Sequence, residues 1–275
     1  MMEFVKAEAC GNDFIIIDRF NSQKLASRNH IGKLAKRFCQ RKTSVGADGL
    51  LLLERSKRCD FKMRIFNPDG SEVDMCGNGA RCIALYAARD KVVSRRKMTI
   101  ETAAGDLEAE VKKDLVKIKM SLPQDLRLKF DLNIDGQRQN VSYINTGVPH
   151  VVCFVQGLDN FGVEKMGRAI RYHPEFRPEG TNADFAEVLR NDRIRIRTYE
   201  RGVETETLAC GTGAVASGII TVYQRKKPQG KYRVKVDTRS GESLNVYFSI
   251  KKDIIDNVYL EGKAKIVYRG GIEDV

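Results

Sequence analysis

An α+β protein made of two similar halves is what this sequence predicts, and three observations carry that expectation. The chain has 275 residues, which at roughly 150 residues per domain accommodates about two. Short runs with the two-residue alternation of strands are interrupted by a few helical patterns. A cysteine–glycine motif opening a helical run occurs twice, at Cys76 and at Cys210.

Composition narrows the classes. Hydrophobic residues make up 42% and charged residues 31%, too apolar for a disordered chain. The longest aliphatic runs, Phe14 to Ile17 and Leu50 to Leu53, fall far short of the roughly 18 residues of a membrane helix. Glu3, Lys6 and Glu8 break any signal-peptide core near the start, so no membrane association and a cytoplasmic location are expected. The seven cysteines contain no Cys-x-x-Cys pair, which fits reduced thiols and no zinc site. The formal charge of +12 would suit an acidic partner, yet the basic clusters at Lys33 to Lys42, Arg55 to Arg58, Arg95 to Lys97 and Arg225 to Lys227 are scattered. They lack interleaved aromatics for stacking bases, so solvated faces and no nucleic-acid partner are expected.

In chain order, residues 2 to 9 and 14 to 18 read as strands around a turn at Gly11-Asn12-Asp13. Ile31, Leu34, Ala35 and Phe38 have helical spacing, with Ser27 or Asn29 as the cap. Strands return at Leu50 to Glu54 and at Phe61 to Phe66, where Phe61, Met63 and Ile65 alternate with Lys62 and Arg64. Asn67-Pro68-Asp69-Gly70 is turn chemistry. Ala80, Ile83, Ala84 and Ala87 then give an apolar face to a helix beginning near Gly77, with Cys76 at its N-terminus. Further strands are expected through about Met120.

The plan then repeats. At an offset of 134 (210 minus 76), Ser71 falls on Thr205, Glu72 on Glu206, Cys76 on Cys210, Gly77 on Gly211, Gly79 on Gly213 and Ala80 on Ala214. At an offset of 136, Gly11 falls on Gly147 and Ala47-Asp48 on Ala183-Asp184. Ile194, Ile196 and Thr198 alternate as Phe61, Met63 and Ile65 do, and Ala214, Val215, Gly218 and Val222 form a second helical face. A domain boundary is expected near Leu122-Pro123, separating residues 1–121 from 122–263.

A helix N-terminus offers free N–H groups and a positive dipole end, so it holds anions and favours a thiolate. The N–H groups of Gly77, Asn78, Gly211 and Thr212 can hold a carboxylate, whose own carbon then lies between two sulfurs. Donors on the carboxylate stabilise charge that develops when the adjacent C–H loses its proton. One thiolate removes the proton and the second thiol returns one to the other face. Cys10, Cys39, Cys59, Cys82 and Cys153 read as inert buried thiols, Cys10 being the one beside a glycine turn. No motif calls for a metal or a cofactor, and none is expected.

These residues resemble the diaminopimelate epimerase family nearly end to end. The resemblance rests on Gly11-Asn12-Asp13-Phe14, Phe66-Asn67-Pro68-Asp69-Gly70-Ser71-Glu72, Cys76-Gly77-Asn78-Gly79-Ala80-Arg81, Pro149-His150, Gly180-Thr181-Asn182, Tyr199-Glu200-Arg201-Gly202 and Cys210-Gly211-Thr212-Gly213. It implies two pseudo-symmetric domains, each a β-barrel-like sheet around a central helix, with a strand from residues 264–275, at Ala264 to Tyr268, returning to the first. It implies stereoinversion of LL-2,6-diaminopimelate to the meso isomer without cofactor, in lysine and cell-wall precursor synthesis. Cys76 and Cys210 are then the acid/base pair, and His150 and Glu200 set their protonation. Asn67, Asn182 and Arg201 take the far carboxylate, Glu200 with backbone carbonyls takes the far ammonium, and Asn12 contacts the reacting end. A small-molecule substrate is the implied partner, and a homodimer is allowed but not required.

Each of these residues also has a plain structural reading. Asn67 suits a turn, His150 suits a satisfied core position, and Glu200-Arg201 suits an exposed ion pair. Two positions depart from the family pattern. Val148 stands where many members have asparagine, and no glutamine lies near Gly49, both of which bear on recognition of the reacting amine. Proline racemases and hydroxyproline epimerases are the nearest alternative, but they resemble each other in a histidine where this chain has Asn78, and they lack Glu200-Arg201. A phenazine-type isomerase would not keep both cysteines. Outside enzymes, the charge allows an RNA-binding protein and the thiols allow a redox sensor.

Overall fold

The computed structural model describes residues 1–20, 28–226 and 229–273. Two compact units emerge, Met1–Ile118 with Gly262–Val275, and Lys119–Glu261. Among the described residues no helix is long and apolar enough to cross a membrane.

The first unit runs β1 (Met2–Ala9), β2 (Asn12–Asp18), α1 (Arg28–Phe38), β3 (Gly49–Glu54), β4 (Phe61–Phe66), β5 (Glu72–Val73), α2 (Gly77–Arg89), β6 (Lys97–Thr102), β7 (Gly105–Lys112) and β8 (Leu115–Lys119), and takes β18 (Lys265–Ile272) from the far end of the sequence. β18 pairs antiparallel with β1 and β1 with β2, β2 runs parallel to β3, and β3 pairs antiparallel with β4. β4 then pairs antiparallel with β5 and parallel with β6, followed by antiparallel β7 and β8.

The second unit runs β9 (Gln124–Ile134), β10 (Gln137–Asn145), β11 (Pro149–Phe154), α3 (Val163–Arg171), β12 (Asn182–Arg190), β13 (Arg193–Glu200), β14 (Thr205–Thr207), α4 (Gly211–Gln224), β15 (Gly230–Asp237), β16 (Ser243–Lys251) and β17 (Ile254–Lys263). Its pairing map is the same. β9 stands where β18 stood, β10 pairs β11, β11 runs parallel to β12, β12 pairs β13, and β13 pairs antiparallel with β14 and parallel with β15 before the β15–β16–β17 meander.

Each sheet wraps one helix. α2 touches β1, β2, β3, β4, β7 and β18, while α4 touches β10, β11, β12, β13, β15 and β16. Residues Asn78 to Ala87 of α2 are buried without a break, as are Gly213 to Val222 of α4. The sequence reading gave these helices one apolar face; enclosure on all sides explains why small and apolar residues surround them instead. α1 lies outside, where Ile31, Leu34, Ala35 and Phe38 pack on Ile15, Ile17, Leu50 and Leu52. Leu50 to Leu53 are all fully buried, because β3 is covered on one face by α1 and on the other by α2. A strand covered on both faces loses its polar alternation.

Two local readings change. The first turn is the two-residue link Cys10-Gly11, both with positive φ (53° and 86°), which suits the right-handed twist of a hairpin. Asn12 and Asp13 therefore belong to β2, with Asn12 opposite Ala9. Of the two proposed caps for α1, Ser27 lies outside the described residues and Asn29 lies within the helix.

The repeat also shifts in register. Phe66 opposes Glu72 as Tyr199 opposes Glu206, so Glu200 is the counterpart of Asn67, whereas the sequence alignment set it on Phe66. The second connection is one residue longer (206 minus 199 against 72 minus 66). Leu50 opposes Phe66 as Ala183 opposes Tyr199, so Ala183-Asp184 matches Leu50-Leu51 rather than Ala47-Asp48. By the parallel pairs Ile15–Leu50 and Val151–Ala183, His150 matches Phe14.

Candidate active site

In the first unit, Cys76 is the N-cap of α2, in extended conformation, and its sulfur accepts the Gly79 N–H at 3.5 Å. The connection leading to it is braced by Arg64, which grips Glu72 through Nε and Nη2 at 2.7 and 3.0 Å. Such a planar two-point grip fixes orientation as well as distance. Asn67 closes a β-turn by accepting the Gly70 N–H at 2.9 Å, and its Nδ2 donates to Ser71 Oγ at 3.1 Å.

Beneath the α2 start runs a polar chain. Arg81, with no exposed surface, donates through Nη2 to Asn78 Oδ1 at 2.7 Å and to Cys10 Sγ at 3.2 Å. Asn78 Nδ2 donates to Asn12 Oδ1 at 2.5 Å, and Asn12 Nδ2 donates to Asp48 Oδ2 at 3.2 Å. A guanidinium only donates and a carboxylate only accepts, so the two ends dictate which way both amides point. Arg81 Nε and Nη1 have no hydrogen-bond partner among the described residues. Among the described residues no carboxylate lies within 4.0 Å of this guanidinium, an uncommon state for a buried charge.

In the second unit, Cys210 is the N-cap of α4 and is buried. Its sulfur lies 3.4 Å from Thr212 Oγ1. Thr212 Oγ1 lies 2.9 Å from His150 Nε2, and His150 Nδ1 lies 2.7 Å from Asp184 Oδ2. Thr198 Oγ1 donates to Asp184 Oδ1 at 2.7 Å. His150 and Asp184 have no exposed surface, and buried polar groups of this kind persist only when mutually bonded. Gly213 is required here, since a Cβ on it would collide with Asp184 Oδ1. Burial, followed by the Glu200 and Asp184 carboxylates, pushes the Cys210 thiol well above its ordinary range.

Glu200 ends β13. Burial raises its carboxyl, while Thr207, donating at 2.9 Å, and His150 pull it back. Asn182 is nearly buried, and its amide joins two backbones, donating to the Pro149 carbonyl and accepting the Arg201 N–H, both at 2.8 Å. Arg201 Nη1 donates to the Glu179 carbonyl at 3.2 Å. The bidentate brace recurs, with Arg197 gripping Glu206 at 2.7 Å through both Nε and Nη2.

The expected residues thus gather as two groups. Asn12, Cys76, Gly77 and Asn78 cluster at the α2 start, with Asn67 in the turn that follows β4. His150, Cys210, Gly211 and Thr212 cluster at the α4 start, with Asn182, Glu200 and Arg201 at the nearby strand ends. The remaining thiols differ among themselves. Burial pushes Cys39 to about 11, Cys153 to about 12 and Cys82 well above its usual range, whereas Cys10 faces a guanidinium.

Arg81, Asp184 and the two Arg–Glu braces carry no assigned role in the sequence reading. Two of them left a signal. Asp184 stands among Ala183, Phe185 and Ala186, and Arg81 between Ala80 and Cys82; a charge inside an apolar run has to be solvated by the protein itself. Among the described residues no group of three or more His, Cys, Asp or Glu side chains is arranged to hold a metal ion.

Solved structures share this architecture. A phenazine biosynthesis protein of the PhzF family from Bacillus anthracis superposes with a TM-score of 0.75 at 18% identity, covering 99% of both chains. A probable proline racemase from Agrobacterium radiobacter K84 gives 0.68 at 15% identity, covering all of this chain and 94% of that one. Such low identities establish the fold alone. In sequence, a diaminopimelate epimerase of Aquifex aeolicus is 42% identical, covering 99% of this chain and 98% of that protein. The family model for diaminopimelate epimerase matches residues 4–124 and 142–267, taking in both cysteine-capped helices. With the motifs and the fold in agreement, the chain belongs to the diaminopimelate epimerase family.

Proposed function

We propose that this chain interconverts LL-2,6-diaminopimelate and meso-diaminopimelate, with Cys76 and Cys210 as the acid/base pair. One observation carries the reading: two cysteines cap two buried helices at equivalent points of one pairing map. The N–H groups of Gly77, Asn78, Gly211 and Thr212 hold the carboxylate beside the reacting carbon, and Asn12 contacts the same end. As a thiolate removes the α-proton, negative charge passes to the carboxylate oxygens, where helix-start donors stabilise it most. The other thiol delivers its proton from the opposite side of the carbon. The charge has then moved from one sulfur to the other, with no net gain or loss of protons.

His150 and Glu200 adjust how readily the thiols exchange protons. At the non-reacting end, Asn67, Asn182 and Arg201 receive the carboxylate, and Glu200 with backbone carbonyls receives the ammonium. Asn182 contributes the amide hydrogen left over from its bond to Pro149. Working thiols require a reducing compartment, which supports action in the cytoplasm on a free amino acid.

Incubating the reduced protein with LL-diaminopimelate in deuterium oxide tests this. Meso product carrying α-deuterium is expected, and Cys76→Ala and Cys210→Ala should each lower the rate by about 10³-fold, within the range for a lost acid/base group. Folded, reduced protein that catalyses neither exchange nor inversion would overturn the reading, as would full activity in both variants.

A further inference from the structure

We propose that the Thr212 hydroxyl relays a proton between Cys210 and His150, and that Asp184 is the positioning residue that keeps His150 able to take it. The inference deepens the assignment of Cys210 as an acid/base residue and rests on it.

Both oxygens of Asp184 are acceptors, one for the Thr198 hydroxyl at 2.7 Å and one toward His150 Nδ1 at 2.7 Å. A carboxylate at that distance places the hydrogen on Nδ1, and a neutral imidazole then carries its lone pair on Nε2. Nε2 faces Thr212 Oγ1 at 2.9 Å, so the hydroxyl donates to it. With its hydrogen committed to His150, Thr212 Oγ1 offers lone pairs to Cys210 Sγ, 3.4 Å away. The order is S–H to Oγ1, Oγ1–H to Nε2, Nδ1–H to carboxylate.

Ionisation of Cys210 is then a double transfer. The S–H bond breaks and its proton binds Oγ1, while the hydrogen formerly on Oγ1 passes to Nε2. The products are a thiolate, an intact hydroxyl and an imidazolium lying between the thiolate and Asp184. Reversal restores the thiol. Burial, and after it the Glu200 and Asp184 carboxylates, oppose a bare thiolate at Cys210, and an imidazolium beside the sulfur offsets that opposition. The first unit has no counterpart, since Phe14 matches His150, Leu51 matches Asp184 and Asn78 matches Thr212.

Thr212→Val removes the hydroxyl at nearly constant shape and keeps the backbone groups of the helix start, and Thr212→Ser keeps the hydroxyl. Two measurements apply to each: the pH profile of α-deuteration of LL-diaminopimelate, and the pH dependence of Cys210 alkylation by iodoacetamide without substrate, read by peptide mass. Thr212→Val should lower kcat about 10²-fold with KM changed by less than about threefold. Its alkylation midpoint should rise by about one pH unit, the worth of a hydrogen bond to a charged group. Thr212→Ser should stay within about threefold of wild type, a small loss beside that range. Asp184→Asn can present an N–H to Nδ1 and force the hydrogen onto Nε2, so it should fall as far as Thr212→Val, and the double variant should fall no further. An unshifted kcat and alkylation profile in Thr212→Val, or equal damage in Thr212→Ser, would overturn the relay. Wild-type protein inactive toward the substrate would instead overturn the activity, while the alkylation arm would still decide the relay.

Discussion

The two units share a strand pairing map and differ in where they bury polarity. In the first, Phe14, Leu51 and Ile65 fill the positions that His150, Asp184 and Thr198 occupy in the second. The first unit instead draws its polar chain from the helix and the hairpin, through Arg81, Asn78, Asn12 and Asp48. Val215 and Val148 stand at the positions of Arg81 and Asn12. One backbone plan has thus been kept twice while the side chains below each cysteine diverged. What the plan retains is mechanical, above all the Arg64–Glu72 and Arg197–Glu206 braces that pin the chain ahead of each cysteine.

Exchanging a residue between units should have the largest effect. Leu51→Asp places the second unit's carboxylate in the first, with Phe14 and Ile65 where its partners would have to be. We expect a loss of about 4 kcal/mol or more, the mark of an unpaired buried charge, measured by urea unfolding; a loss below about 1 kcal/mol would mean the first core tolerates a polar network. Arg81→Met comes next. It removes a buried charge that has no carboxylate partner among the described residues, so Tm should shift by only a few degrees, while freed Asn78 and Asn12 amides lower kcat/KM about tenfold or more. Unchanged kinetics with a large drop in Tm would make Arg81 a stability element instead. The smallest effect should come from the braces. Arg64→Lys loses a planar two-point contact that an ammonium cannot reproduce, at about 1 kcal/mol, and Arg197→Lys should lose more, because its Nη1 also donates to the Leu158, Asp159 and Phe161 carbonyls; equal losses would show that these carbonyl contacts add nothing to the brace.

The elements that sequence made legible are those with strong local signals. Phe61 to Phe66 alternates and is a strand over that same span, and Cys76 and Cys210 cap helices because glycines and small apolar residues follow them. Register was harder. A single extra residue between Tyr199 and Glu206 leaves the cysteine motif aligned but moves β13 against β4 by one position. Hydrogen-bond partners were harder still. His150 and Asp184 are 34 residues apart and meet because parallel β11 and β12 are joined through α3, a connection that no local pattern specifies. Asn182 illustrates the limit of motif reading from the other side: its amide was expected to face a ligand, and two of its groups join β11 to the residue after β13.

The strand β18 carries a consequence for how the molecule is made. β1 is translated long before its partner across the Met2–Ile272 register, which emerges only after the whole second unit has left the ribosome. The later half of the gene product can therefore close its sheet while the earlier half still waits with one strand edge bare. Nascent protein in that interval exposes a β-edge, the kind of surface on which chains misassociate.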